Sequence, residues 1–388
     1  MLLVTMLMVF PSFSFLHSEA KINPEDYDSE AFLRNLFALE YEHYDIGNIQ
    51  IQIDAALEYA HRASGFNGTV LVARNESLVY SGSVGYANFK EKELLGTHSA
   101  YQLASVSKQF TAAAVMQLVE RNEISLDDTV TRYLPELSYD QITVRQLMNH
   151  TSGLAIYFWL AEHKWQGDHA PDNEEMVALL AEYDLPQFFR SGGRFDSSNS
   201  GYILLATIVE RVSGQSFEDY MSEHIFKPLG MDDSFVYSFD HDTVKANQLA
   251  GFRRYGRTRK FEIPGTVNDG TVGDKNVYAS ANDLYKWITG LNNGLVVSPE
   301  SLEQMYTRGQ TRYGRAVPYG YGFRLGSSAG EQMIYHDGKW NGFRTSLRQY
   351  EDGLTIILLE HSSYSYPSSM VNKVKQIVRG NMYAKDPI

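Results

Sequence analysis

The sequence predicts an α+β fold, with one sheet assembled from both ends of the chain and a mainly helical insertion between them. Three observations predict it. Segments rich in β-branched residues lie near the N-terminus and return near the C-terminus. Asp352-Gly353 supplies a hairpin turn between the last two of these segments. Between the two groups, residues 126–285 read mainly as helix and loop.

The elements follow in order. Met1 to Leu16 is apolar, too short to span a bilayer comfortably, and is followed by Ser18-Glu19-Ala20, with small residues where a signal peptidase reads. Residues 1–20 are therefore expected to be a secretory signal peptide, although no Lys or Arg precedes the apolar run. Residues 21–45 are acidic and aromatic without a clear period and read as an N-terminal extension. Ile51, Ile53, Ala56, Leu57, Tyr59 and Ala60 give the stretch from Ile49 to Ala63 the pattern of an amphipathic helix. Two strands, Gly68 to Arg74 and Ser77 to Gly82, flank a tight Asn75-Glu76 turn. A helix running to about Asn122 follows. A short helix stopped at Gly153, helices over 173–183 and 201–213, and a Gly/Ser/Asn-rich turn over 191–200 fill the middle. Late strands are expected over 332–336, 343–350 and 355–360, with a closing helix that carries Val371, Val374, Ile377 and Val378.

Composition narrows the function. The 388 residues are 43% hydrophobic and 21% charged, which is globular and long enough for an ample core. A net charge of −13 argues against nucleic acid and anionic membrane surfaces as partners. The absence of Cys excludes disulfides, thiolate catalysis and Cys-bound zinc.

Three motifs carry chemistry. In Ser105-Val106-Ser107-Lys108 a Ser at the mouth of a helix has a Lys three residues on, so both side chains share one face. An amine held there can take the Ser proton, and the helix N-terminus favours the negative charge that develops. The tetrapeptide alone is also compatible with an ordinary helix start, and Ser18-Glu19-Ala20-Lys21 repeats it inside the expected leader. The second motif, Ser197-Ser198-Asn199, precedes a helix and doubles as a cap. The third, His336-Asp337-Gly338, ends a strand with a Gly that admits close backbone approach.

In this order, and with flanking stretches such as Gly68-Thr69-Val70-Leu71-Val72, Asn149-His150-Thr151-Ser152-Gly153-Leu154 and Trp340-Asn341-Gly342-Phe343, the motifs resemble the serine β-lactamase and penicillin-binding-protein superfamily. The similarity is to its class C-related branch, which includes D,D-peptidases, D-aminopeptidases and esterases. The resemblance covers about residues 50–380 and implies a β-lactamase/transpeptidase-like α+β fold: an antiparallel sheet flanked by terminal helices, with the helical insertion, over residues 46–388. It implies that Ser105 is the nucleophile and that Lys108 accepts or holds its proton. The resemblance further implies that the N–H groups of Ser105 and Lys339 form an oxyanion hole, that Asn199 binds the substrate amide, and that His336 and Gly338 line the substrate site. Members of this branch usually carry Tyr where this chain has Ser197. A Ser hydroxyl at its ordinary pKa is not a general base, though it can relay a proton. Either Lys108 is the base, a nearby Tyr such as Tyr157 substitutes, or turnover is impaired.

Other candidates read as structure. His163, Asp168 and His169 satisfy no metal spacing. Gly326-Ser327-Ser328-Ala329-Gly330 matches a nucleophile elbow in letters, but a strand follows where a helix is required. His150 reads as a hydrogen-bonded turn residue. The expectation is a secreted or periplasmic serine hydrolase without metal or organic cofactor. It would form an acyl-enzyme on a small-molecule or peptide substrate, an ester or a D-amino-acid or peptidoglycan-like amide. It would have no nucleic-acid partner and no stable membrane insertion once the leader is cleaved; the oligomeric state stays open. His336 in the third motif leans away from a dedicated β-lactamase. The alternatives are a β-lactamase, a penicillin- or peptide-binding protein with impaired turnover, and a metal-dependent hydrolase.

Overall fold

Seven strands form one antiparallel sheet in the order Ile22–Asn23, Arg324–Ser328, Glu331–Trp340, Phe343–Tyr350, Leu354–Glu360, Gly68–Arg74, Ser77–Val84. This computed structural model describes residues 22–23, 26–37, 43–255, 259–328, 330–364 and 367–383. The expected leader, residues 1–20, and Lys21 after it lie outside them. The two chain ends meet where Leu354–Glu360 pairs with Gly68–Arg74, and both strands are buried along their whole length. Their continuous apolar runs are what a strand covered on both faces requires. Asn75 and Glu76 both take positive φ, as a two-residue hairpin turn of matching twist demands.

The terminal helices Ile46–Ser64 and Pro367–Gly380 cover one face of the sheet. Ile49, Ile53, Leu57 and Ala60 form the buried stripe of the first, whereas Ile51 and Tyr59, expected on that face, are exposed. The stripe follows the i, i+4, i+8 row, from which Ile51 and Tyr59 are rotated away. The other face meets the larger core, built around the Ser107–Glu120 helix, which is buried from Ser107 through Leu118.

Residues 126–285 hold the helices Val144–Met148, Phe158–His163, Asn173–Tyr183, Asn199–Ser213 and Phe217–Met221. They also hold strands that periodicity did not reveal. Val277–Ala279 pairs with both Tyr101–Gln102 and Phe235–Val236, and Phe252–Tyr255 forms a hairpin with Arg259–Glu262. Strands this short offer too few alternations to register in sequence. The N-terminal extension is part of the fold: Ile22–Asn23 adds the edge strand, and Phe32 in the Ser29–Phe37 helix is fully buried near Tyr306. Gly326 to Ser328 lies in a strand that pairs antiparallel with Glu331–Trp340, so the apparent nucleophile elbow is a hairpin arm.

Candidate active site

Ser105 sits in a single 3₁₀ turn, Ala104–Val106, that feeds the Ser107–Glu120 helix. Ala104 before it takes φ +50°, a left-handed conformation that costs a non-glycine residue about 1–3 kcal/mol and persists only when its surroundings hold it. Those surroundings can be named. Leu103 N–H donates to Val277 O (2.8 Å), and Thr345 Oγ1 donates to Leu103 O (2.7 Å). Val277 N–H in turn donates to Ser107 Oγ (3.1 Å). The sheet and the short strand of the insertion thus grip the turn from two sides.

Lys108 Nζ lies 3.1 Å from Ser105 Oγ and donates to the Asp274 carbonyl at 2.8 Å. The side chain is buried, which pushes its pKa down to about 8; Lys275 and Arg324 push the same way, while Asp274 opposes them. Ser105 itself is half-buried and open to approach.

Gly338 brings the third motif against this turn. A Cβ there would fall 2.3 Å from Leu103 O and 3.0 Å from Ala104 Cβ. Its strand carries His336 on the same face, two residues back. His336 is buried rather than presented to solvent: Nε2 meets Tyr319 Oη at 2.9 Å and Nδ1 meets Asp337 O at 3.0 Å. Burial, with the Arg324 and Lys108 cations nearby, holds its pKa well below the usual imidazole range. Lys339, one residue on from Gly338, is exposed.

The second motif is laced to the Asn149 to Gly153 turn. Ser198 N–H donates to His150 Nδ1 (3.2 Å), and Asp196 N–H donates to His150 O (2.9 Å). Ser198 caps the Asn199–Ser213 helix by accepting from Gly201 N–H. Asn199 opens that helix and is half-buried; one turn on, Tyr202 lies with its ring centre 5.6 Å from Lys108 Nζ. Ser197 is exposed and makes no side-chain hydrogen bond among the described residues.

Tyr157 is held in its protonated form. Its Oη meets Thr271 Oγ1 (2.8 Å) and Asp274 Oδ2 (3.2 Å), and burial beside that carboxylate drives its pKa far up. Tyr202 and Tyr319 are likewise pushed up by burial. His163 stacks on Trp159 and bonds its carbonyl, away from His169.

The sequence did not single out the segment that ties the three motifs together. Asp269 accepts from Trp340 Nε1 and from Asn341 Nδ2 (2.8 Å) just beyond the third motif. Gly273 O accepts from Thr111 Oγ1 (2.6 Å), Asp274 O from Lys108, and Val277 from Leu103. Lys275 is buried beneath, bonded to Tyr157 Oη (2.5 Å) and Asp274 Oδ1 (3.1 Å). The one available signal was a Gly-rich run carrying adjacent opposite charges, Gly270 to Lys275.

Comparison with known proteins finds relatives over most of the chain. A family model described as Beta-lactamase matches residues 53–375. Penicillin-binding protein 4* of Bacillus subtilis is 31% identical over 331 residues, covering 82% of this chain and 73% of its own. A D-aminopeptidase of Brucella anthropi is 28% identical, covering 72% of this chain and 53% of its own, so the chain spans about half of that relative. The octameric penicillin-binding protein homologue from Pyrococcus abyssi superposes with a TM-score of 0.72 at 26% identity, over 87% of this chain and 78% of its own.

Proposed function

The chain belongs to the β-lactamase family, and from that premise we propose that it is a serine hydrolase working through an acyl-enzyme, with Lys108 as the general base. The observation that carries the proposal is the 3.1 Å approach of Lys108 Nζ to Ser105 Oγ, with the amine pKa down to about 8. At pH 7 about one molecule in ten then holds a neutral amine, enough to accept a proton.

In the reaction, Ser105 Oγ attacks the substrate carbonyl and its proton passes to Lys108 Nζ. The oxyanion is received by the N–H groups of Ser105 and Lys339. Collapse expels an alcohol or amine, which takes a proton from Lys108 directly or through Ser197. Water then attacks the ester, Lys108 takes its proton and returns it to Ser105 Oγ as the acyl–oxygen bond breaks, and the acid leaves. Asn199 holds the substrate amide. Substrates are esters or D-amino-acid and peptidoglycan-like amides, in keeping with relatives named penicillin-binding protein and D-aminopeptidase. The site of action we propose is secreted or periplasmic.

A nitrophenyl ester, a D-amino-acid amide and a β-lactam, offered alongside a fluorophosphonate label, test this reading. Turnover and labelling that both vanish in Ser105→Ala support it. Activity that survives Ser105→Ala overturns it. Ser197 favours one second reading, a penicillin- or peptide-binding protein, for which stable labelling without turnover is the signature.

A further inference from the structure

We propose that His169, Glu175 and His241 form a binding site for a divalent transition-metal ion of the zinc type, which clamps two loops of the inserted region. The three residues offer one ligand atom each, all within 4.8 Å of one another. Imidazole and carboxylate are the donor set that zinc accepts, with one position left for water. The sequence hid the site because its members sit on three separate segments: the loop after Phe158–His163, the first turn of Asn173–Tyr183, and the loop after Phe235–Val236.

Each candidate ligand is already oriented by a second partner, as metal ligands characteristically are. His241 Nε2 bonds Ala170 O at 2.7 Å, and its Nδ1 has no hydrogen-bond partner among the described residues. His169 Nδ1 faces Asp168 Oδ1 at 3.3 Å, while its Nε2 points at both Glu175 oxygens, 3.0 and 3.1 Å away. A metal ion would replace the proton shared there. Glu175 Oε2 is held by Asp172 N–H (3.0 Å) in the capping box of its helix. The two imidazole rings lie edge to face, 5.4 Å between centres. A cavity of about 230 Å³ beside His241 is lined by Asp172, Glu174, Glu218 and Asp242, a field that concentrates cations.

The clamp has a target. Ala170 O and Pro171 O press on Gly270, where a Cβ would come within 2.7 and 2.5 Å. From the other loop, Phe239 N–H donates to Asp269 O at 3.0 Å. Both loops therefore bear on the start of the segment whose Asp274 carbonyl holds Lys108. The metal ion has a structural role, fixing that segment without touching the substrate.

Untagged protein, stripped with chelator and dialysed, is incubated with zinc chloride, and bound metal is counted by mass spectrometry. Wild type is expected to retain one zinc per chain and no magnesium or calcium. Its unfolding midpoint is expected to rise by about 3–4 °C at a hundredfold excess over Kd. His241→Ala, at an exposed position, and His169→Ala are expected to keep the wild-type circular dichroism and lose both effects. Wild type that retains no zinc overturns the site, as do the two variants retaining as much as wild type.

Discussion

Lys108 is a cation in a place that disfavours one. Burial and the neighbouring Lys275 and Arg324 charges lower its pKa to about 8, against the pull of Asp274. The sign of the pH dependence follows. A base must be neutral to accept a proton, and Lys108 is neutral above about 8. We expect kcat/KM to rise with unit slope through neutral pH and level off above about 8. Lys108→Ala should cost about 10²–10⁴-fold and abolish that limb. A profile that is flat from pH 6 to 9 would remove Lys108 as the base. The Ser197 position offers a separate test. With Lys108 as base, restoring a phenol through Ser197→Tyr should change kcat less than about tenfold; a much larger gain in steady-state assays would show a wild-type chain lacking its base. Ser105 and Lys108 were legible in sequence because i, i+3 spacing on a helix is local geometry. Asp274 was not, because it acts through a backbone carbonyl 166 residues away, which no side-chain pattern encodes.

At the scale of elements, the nucleophile depends on two short segments meeting. The Glu331–Trp340 strand can lie against the Ser105 turn because position 338 has no side chain. Gly338→Ala places a Cβ 2.2 Å from Thr345 Oγ1 and 2.3 Å from Leu103 O, so the turn must move. Displacement of a reacting atom by an ångström costs about 10²-fold. The expected outcome is kcat lowered by that order with the circular dichroism spectrum unchanged; wild-type kcat in a folded Gly338→Ala would show that the contact does not position Ser105. The long strands and helices were legible from their periodicity. The two-residue strands were not, and the 3₁₀ turn under Ser105 reads in sequence simply as the beginning of a helix.

At the scale of the molecule, buried ionisable groups set the stability profile. His150, His336 and His361 are buried with depressed pKa values, that of His361 down to about 4. Their unfolded forms take up protons below 6.5 while the folded forms do not, so each contributes stability that is lost as pH falls, about 1.4 kcal/mol per pH unit. Glu210 and Glu360 act in the opposite sense. Burial raises both from 4.5 to about 7, so their stability is present below 4.5 and is lost as pH rises through 7. Between 4.5 and 6.5 the two sets oppose each other; below 4.5 the raised carboxyls no longer offset the histidines, and Asp127, Asp128 and Glu136, held below the usual carboxylate range by their hydrogen bonds, add to the loss. Scanning calorimetry should find a midpoint that changes little between pH 5 and 6.5 and drops below about 4.5. A steep fall beginning at 6.5 would show that the carboxylates do not offset the histidines.

The sequence by itself determined the α+β class, the helical insertion and the spacing of Ser105 and Lys108, because these are written locally; Gly338 and Asn199 entered through the resemblance of three ordered motifs to a known family. The tertiary structure decided the rest. It buried His336 against Tyr319, raised the Tyr157, Tyr202 and Tyr319 pKa values by burial, and set the Asp274 carbonyl on Lys108. The physical reason is common to all three. A pKa and a strained turn are set by what surrounds a group in space, and those surroundings come from other segments of the chain, 17 residues away for His336 and Tyr319, 117 for Tyr157 and Asp274, and 166 for Lys108 and Asp274.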